Sequence, residues 1–293
     1  MCSFSALGLS KEIFSLRCFL VIYRLIIAYF WRLIRVLLVS DFIQSIPLGW
    51  EQILLFFFLA LVAEILGTVS GFGSSVLFVP MAGMFFDFST VLGVTALFHV
   101  FSNLFKIYLF RRNIDRKLLL WLGLPSVIFV IIGAYLSQYI QSNIFKLILA
   151  IVLIGLSIFM LLFRNKRLRI SEKNYFLGGL SSGFLAGFIG TGGAIRGLVL
   201  SAMQLEKDVF IASSAWIDLG IDLARTGVYF FNGYIQREVL WVFPGLILMS
   251  LLGSYLGKRI LKHISEERFS NMVLLIVAAI GLYQLWSFFF EIG

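Results

Sequence analysis

The stretch SSAWIDLGIDLARTGVYFF, residues 213–231, is apolar along most of its length yet carries Asp218, Asp222 and Arg225. At helical pitch these fall at i, i+4 and i+7, on one face. Carboxylates in apolar surroundings are costly to ionise, so such a face can hold a proton, a cation or a paired guanidinium. A second stretch, HVFSNLFK (99–106), has the same spacing in His99, Asn103 and Lys106. Asp218 aligns with His99, Asp222 with Asn103 and Arg225 with Lys106. Histidine is the side chain that most readily changes charge near neutral pH. The spacing predicts two polar stripes facing each other across a pathway, with Asp218, Asp222 or His99 exchanging protons. The competing reading is a buried polar network that only holds helices together, since interhelical polar contacts average about 0.6 kcal/mol.

The elements that must carry these stripes are membrane helices. The 293 residues are 60% hydrophobic and 13% charged, against about 45–50% and about 25% in soluble domains. From residue 50 the apolar runs are 50–70, 74–86, 89–110, 118–139, 143–163, 175–190, 194–205, 209–231, 238–260 and 268–290. A spanning helix needs about 20 such residues. The runs 74–86 and 194–205 fall short, and each follows a glycine-rich break, GFGSS (71–75) and GTGGA (190–194). Each break predicts a helix pair whose tip reaches into the bilayer; a tight turn at the membrane surface is the alternative.

The breaks lie 119 positions apart, and GAYLSQYI (133–140) resembles GSYLGKRI (253–260). The expected fold is an all-α integral membrane protein, a polytopic bundle of two repeats with glycine-broken helix pairs. Each half has five segments, so the second enters from the opposite side and the repeats are inverted. The basic loops RRNIDRK (111–117), RNKRLRISEK (164–173) and KRILKHISEER (258–268) then all lie in the cytoplasm. Residues 50–163 form the first membrane repeat, 164–174 a basic cytoplasmic linker and 175–290 the second repeat. Such repeats recur in secondary transporters, with the site at their interface near the midplane.

Residues 1–45 stand apart. Arg17, Arg24, Arg32 and Arg35 fall within about 80° of one another at helical pitch. This extension reads as a basic amphipathic helix on an anionic membrane surface. The topology count puts residue 50 outside, so a cytoplasmic N-terminus would instead need it to cross. Recurring charges argue against a cleavable signal peptide.

Other classes fit less well. GLSSG (179–183) matches G-x-S-x-G, but inside a membrane helix rather than at a strand-to-helix elbow. Gly179, Gly183 and Gly187 read instead as small-residue packing. Cys2 and Cys18 alone build no metal cluster or disulfide framework. No cofactor or metal is expected, and the net charge of +9 is assigned to membrane topology rather than nucleic acid. A channel, or a cation or metal carrier using Asp218, Asp222 and Glu64, shares the same polar features.

The pattern resembles the TauE/SafE family, the sulfite exporter-like permeases of the TSUP group, over about residues 50–290. The resemblance rests on GTVSGFGSSVLFVP (67–80), TVLGVTALFHVFSNLFKIYLFRRNID (90–115), GAYLSQYI, GFLAGFIGTGGAIRGLVL (183–200) and GSYLGKRI. It implies a multi-pass permease of the cytoplasmic membrane that moves sulfur-containing or organic anions, such as sulfite or an organosulfonate, driven by the proton gradient. A homo-oligomer is compatible with the sequence. The chain departs from the pattern at Ser74 and Ser75, at Val199 in place of proline, at the inserted Arg196, and at Asp218 and Asp222 in place of small or amide residues. Two acids would repel an anion unless protonated or paired with Arg196 or Arg225. A helix beginning inside the membrane presents free N–H groups to an anion. The expected substrate contacts are Ser74, Ser75, His99, Asn103, Thr191, Gly192, Gly193, Arg196 and Arg225. Asp218, Asp222 and His99 are the expected proton carriers.

Overall fold

A computed structural model of the chain describes residues 49–71, 73–110, 116–140, 142–163, 172–201 and 207–263, with positions 278, 282, 285, 286 and 289 beyond. Among these residues there is helix and no strand. The amphipathic extension, most of the two basic loops at 111–117 and 164–173, and most of the run 268–290 lie outside the described residues.

The helices are α1 (Trp50–Ser70), α2 (Ser75–Ala82), α3 (Phe88–Leu109), α4 (Leu124–Leu136), α5 (Ser142–Phe163), α6 (Glu172–Phe188), α7 (Gly193–Ser201), α8 (Lys207–Phe231) and α9 (Val242–Leu261). Among the described residues, Trp50–Ser70, Phe88–Leu109 and Leu119–Tyr139 are long and apolar enough to cross a membrane. The last of these includes α4 and the π turn Leu119–Gly123 that leads into it. α2 has eight residues, about 12 Å of helix, well short of a hydrocarbon core about 30 Å thick.

Beside a buried apolar core, part of the burial pattern is inverted relative to a soluble domain. Leu54, Phe58, Leu120, Ile128 and Ile151 are exposed, while Glu64, Lys106, Arg196, Asp222 and Arg225 are buried. Lipid favours this inversion, because it solvates apolar side chains and excludes charges.

Local sequence explains the helix ends near the site. α1 stops at Gly71, whose φ of 68° is left-handed and whose N–H donates to the Gly67 carbonyl at 3.1 Å. Gly190, also left-handed at φ 79°, lies two residues past the end of α6. α3 starts at Asp87, whose carboxylate accepts from the Thr90 amide at 3.2 Å and the Ser89 hydroxyl at 2.9 Å. Partial burial raises the Asp87 pKa, but these bonds prevail and hold it below the usual carboxylate value.

Glycines set the close crossings. Gly179, Gly183 and Gly187 on α6 lie where an added Cβ would overlap the carbonyls of Leu122, Ser126 and Val130. A Cβ at Gly253 or Gly257 on α9 would come within 2.7 Å of Cβ of Glu64 or Thr68 on α1. α8 packs along α3. Leu122, Val130, Ala186, Leu200, Ile217 and Ile221 form an apolar cluster beside it.

Gly183→Leu is expected to lower the thermal unfolding midpoint in detergent, at a cost of about 1–3 kcal/mol or more. Gly155→Leu, where nothing lies within 4 Å, is expected to leave it unchanged. Asp87→Ala is expected to cost about 1 kcal/mol. A carboxylate with a lowered folded pKa contributes fully above its unfolded value and loses that contribution as pH falls through the folded one. The Asp87→Ala penalty therefore disappears in acid, which unfolding curves across pH would measure.

Candidate functional site

Glu64, in the last third of α1, is wholly buried. Its Oε1 accepts from Ser102 at 2.6 Å, Ser254 at 2.9 Å and Thr68 at 3.2 Å, and pairs with Lys106 Nζ at 2.8 Å. Its Oε2 lies 2.6 Å from the Ser74 hydroxyl oxygen, within hydrogen-bond distance. One carboxylate thus ties α1 to the start of α2, to α3 and to α9. Burying a carboxylate and an ammonium is tolerable only when the pair is close and the remaining lone pairs are filled. Ser74 also meets His99 Nε2 at 2.8 Å, and His99 Nδ1 lies 2.7 Å from the Thr95 carbonyl.

The second group of charges belongs to α7 and α8. Asp222 pairs with Arg225 Nη2 at 2.8 Å and accepts from Asn103 Nδ2 on α3 at 2.7 Å. Arg225 Nη1 donates to the carbonyls of Ala186 at 3.0 Å and Gly190 at 2.9 Å. The guanidinium thereby satisfies carbonyls freed where α6 ends. Tyr229, one turn further on, donates to the Gly187 carbonyl at 2.6 Å. Arg196 on α7 pairs with Asp218 and lies 3.5 Å from the Ser214 hydroxyl. Asp218 is the least buried of these charges, with its side chain 16% exposed.

The two groups enclose a small cavity. Gly73, Ser75, His99, Asn103, Ala186, Gly190, Gly192, Gly193, Arg196, Asp218, Ile221, Asp222 and Arg225 line it. It has room for about one water-sized group. The first residues of α2 and α7 both border it, so two helix N-termini converge there.

The aligned stripes therefore come together. Asn103 and Asp222, matched in the alignment, are hydrogen-bonded, and the two breaks touch through Ser75 and Thr191 at 3.5 Å. Ser75, His99, Asn103, Gly192, Gly193, Arg196, Arg225, Asp218 and Asp222 all line the cavity. Ser74 and Thr191 are not among the lining residues: Ser74 turns to Glu64 and His99, and Thr191 lies behind Ser75. Lys106 and Arg225 are both buried within ion pairs.

Sequence reading left Ser102, Ser214, Ser254 and Thr68 out of the site. Ser214 stands one turn before Asp218, so helical spacing alone could have placed it on the stripe. Ser254 sits inside the repeated GSYLGKRI, but nothing in that motif pointed to Glu64, 190 positions away.

Glu64→Ala would leave Lys106 buried without its carboxylate. The expected cost is about 3–5 kcal/mol, read as a lower unfolding midpoint in detergent. Adding Lys106→Met is expected to recover a large part of that loss.

Comparison with known proteins follows the same outline. The family model described as Sulfite exporter TauE/SafE matches residues 56–284. Over 269 residues the chain is 29% identical to a protein of Methanocaldococcus jannaschii described as a probable membrane transporter protein. That alignment covers 82% of this chain and 99% of the relative. No solved structure matches the chain. A family match spanning both glycine breaks and both polar stripes leads to one conclusion: the chain belongs to the sulfite exporter TauE/SafE family, a family of membrane transporters.

Proposed function

We propose that the protein is a proton-coupled secondary transporter for a small anion, a sulfur-containing or organic one such as sulfite or an organosulfonate. It works as a multi-pass protein of the cytoplasmic membrane, built from two inverted repeats that meet at the cavity. The observation that carries this reading is the convergence of two helix N-termini and Arg196 on one buried cavity. Free N–H groups and positive dipole ends favour an anion there.

The acidic residues fit this reading once their partners are known. Glu64 pairs with Lys106, Asp218 with Arg196 and Asp222 with Arg225. No carboxylate in the group is left to serve a cation, which favours an anion carrier over a cation or metal carrier. Asp218 occupies the guanidinium that an incoming anion would use. The cavity is small, so the anion enters as Asp218 leaves Arg196.

The test is flux from liposomes holding the full chain and loaded with sulfite or a short alkylsulfonate. Uptake and release are followed with and without a pH gradient, with sulfate and a divalent cation as controls. Saturable anion flux driven by the gradient is expected. Arg196→Gln is expected to lower it at least about tenfold, the scale of losing a charge-assisted hydrogen bond. Cation flux alone from folded protein would overturn the reading.

A further inference from the structure

The contacts around His99 can be counted in protons. Thr95 O lies 2.7 Å from Nδ1, Nε2 lies 2.8 Å from Ser74 Oγ, and Oγ lies 2.6 Å from Glu64 Oε2. Each of these three contacts needs one hydrogen between its heavy atoms, because two lone pairs at such distances repel. A neutral imidazole supplies one proton and the serine hydroxyl a second. The third must come from one further proton bound to the trio.

We infer that Glu64, Ser74 and His99 form a single proton-binding relay, and that the structure shows it loaded. Two arrangements satisfy every contact. In one, His99 is an imidazolium, Nε2–H donates to Ser74, and Ser74 donates to an ionised Glu64. In the other, Glu64 carries the proton on Oε2 and donates to Ser74, which donates to a neutral His99. They interconvert when one proton moves from Nε2 to Oγ as the serine proton moves from Oγ to Oε2. No atom or charge is gained or lost.

The relay sits where a coupling proton is useful. His99 lines the cavity, while Glu64 is sealed behind it. The charged groups around the relay are Lys106 on α3, Arg196 on α7, and Asp218, Asp222 and Arg225 on α8. α2 and α9 contribute the hydroxyls of Ser74 and Ser254. With Glu64 there are three carboxylates against three cations, so this group is neutral before the extra proton and carries +1 with it. A net charge in a membrane interior is costly. A monovalent anion in the cavity cancels it, so the relay couples one proton to each negative charge carried. This coupling rests on the anion-carrier reading above; the loaded relay does not.

Two measurements on the full chain test it. The chain has two histidines, and His263 is exposed, so His263→Gln leaves His99 as the only ring. In nanodiscs at neutral pH, nitrogen NMR is expected to show a doubly protonated ring. A neutral ring together with a carboxylic-acid infrared band that Glu64→Gln removes would equally support the relay. A neutral ring with no such band would overturn it. The second measurement is the ratio of protons to anions moved, with a short alkylsulfonate as the monovalent probe. A ratio near one is expected in the unmodified protein, falling at least twofold in Ser74→Ala. An unchanged ratio in Ser74→Ala would overturn the coupling. Absence of any alkylsulfonate flux in the unmodified protein would instead sink the carrier reading and leave the ring measurement to decide the relay.

Discussion

A charge in a lipid-facing bundle must find its counter-charge inside the protein, because neither lipid nor bulk water is there to solvate it. The architecture around the site follows from this constraint. Glu64 meets it by gathering donors from four helices, α1, α2, α3 and α9. Arg225 meets it by holding Asp222 with one nitrogen and the carbonyls of Ala186 and Gly190 with another. Each carboxylate or guanidinium thus fixes several backbone segments at once. These contacts connect α1 and α9 to α3, and α8 to the break between α6 and α7.

Such contacts require backbones to come unusually close, and the glycines make that approach feasible. Gly253 and Gly257 bring α9 onto α1, where Ser254 reaches Glu64. Gly179, Gly183 and Gly187 do the same for α6 against α4. Gly71 and Gly190 have a different task. Their left-handed conformations end α1 and α6 and turn the chain, so that α2 and α7 begin beside the cavity. Packing glycines and turning glycines thus cooperate. The first kind closes the bundle, and the second opens two helix N-termini into it.

Pairing also reconciles acidic residues with an anion path. Free carboxylates beside the cavity would repel an anion. Here each has a cation of its own, and the group is neutral before the relay takes up its proton. In the proposed cycle, a proton on the relay makes the site receptive to one negative charge, and Arg196 exchanges Asp218 for the anion.

The sequence by itself determined the membrane class, the helix spans and the polar stripes. These depend on local periodicity and run length, which one strand of text contains in full. Segments read as 50–70, 89–110 and 209–231 appear as Trp50–Ser70, Phe88–Leu109 and Lys207–Phe231. The 119-position correspondence also named Asn103 and Asp222 as counterparts, and they prove to be in contact. What tertiary structure alone decided was the partner of each charge. Helical spacing says which face a residue occupies, not which helix that face meets. Glu64 was legible as an acid within the apolar run 50–70, but its bond to Ser254 spans 190 positions. Ser74 read as a cavity residue because it lies in the break, yet the start of α2 turns its hydroxyl toward Glu64 and His99. Which of several neighbouring hydroxyls faces a carboxylate is set by how far helices rotate and slide when they pack, and that emerges only once all the charges are satisfied together.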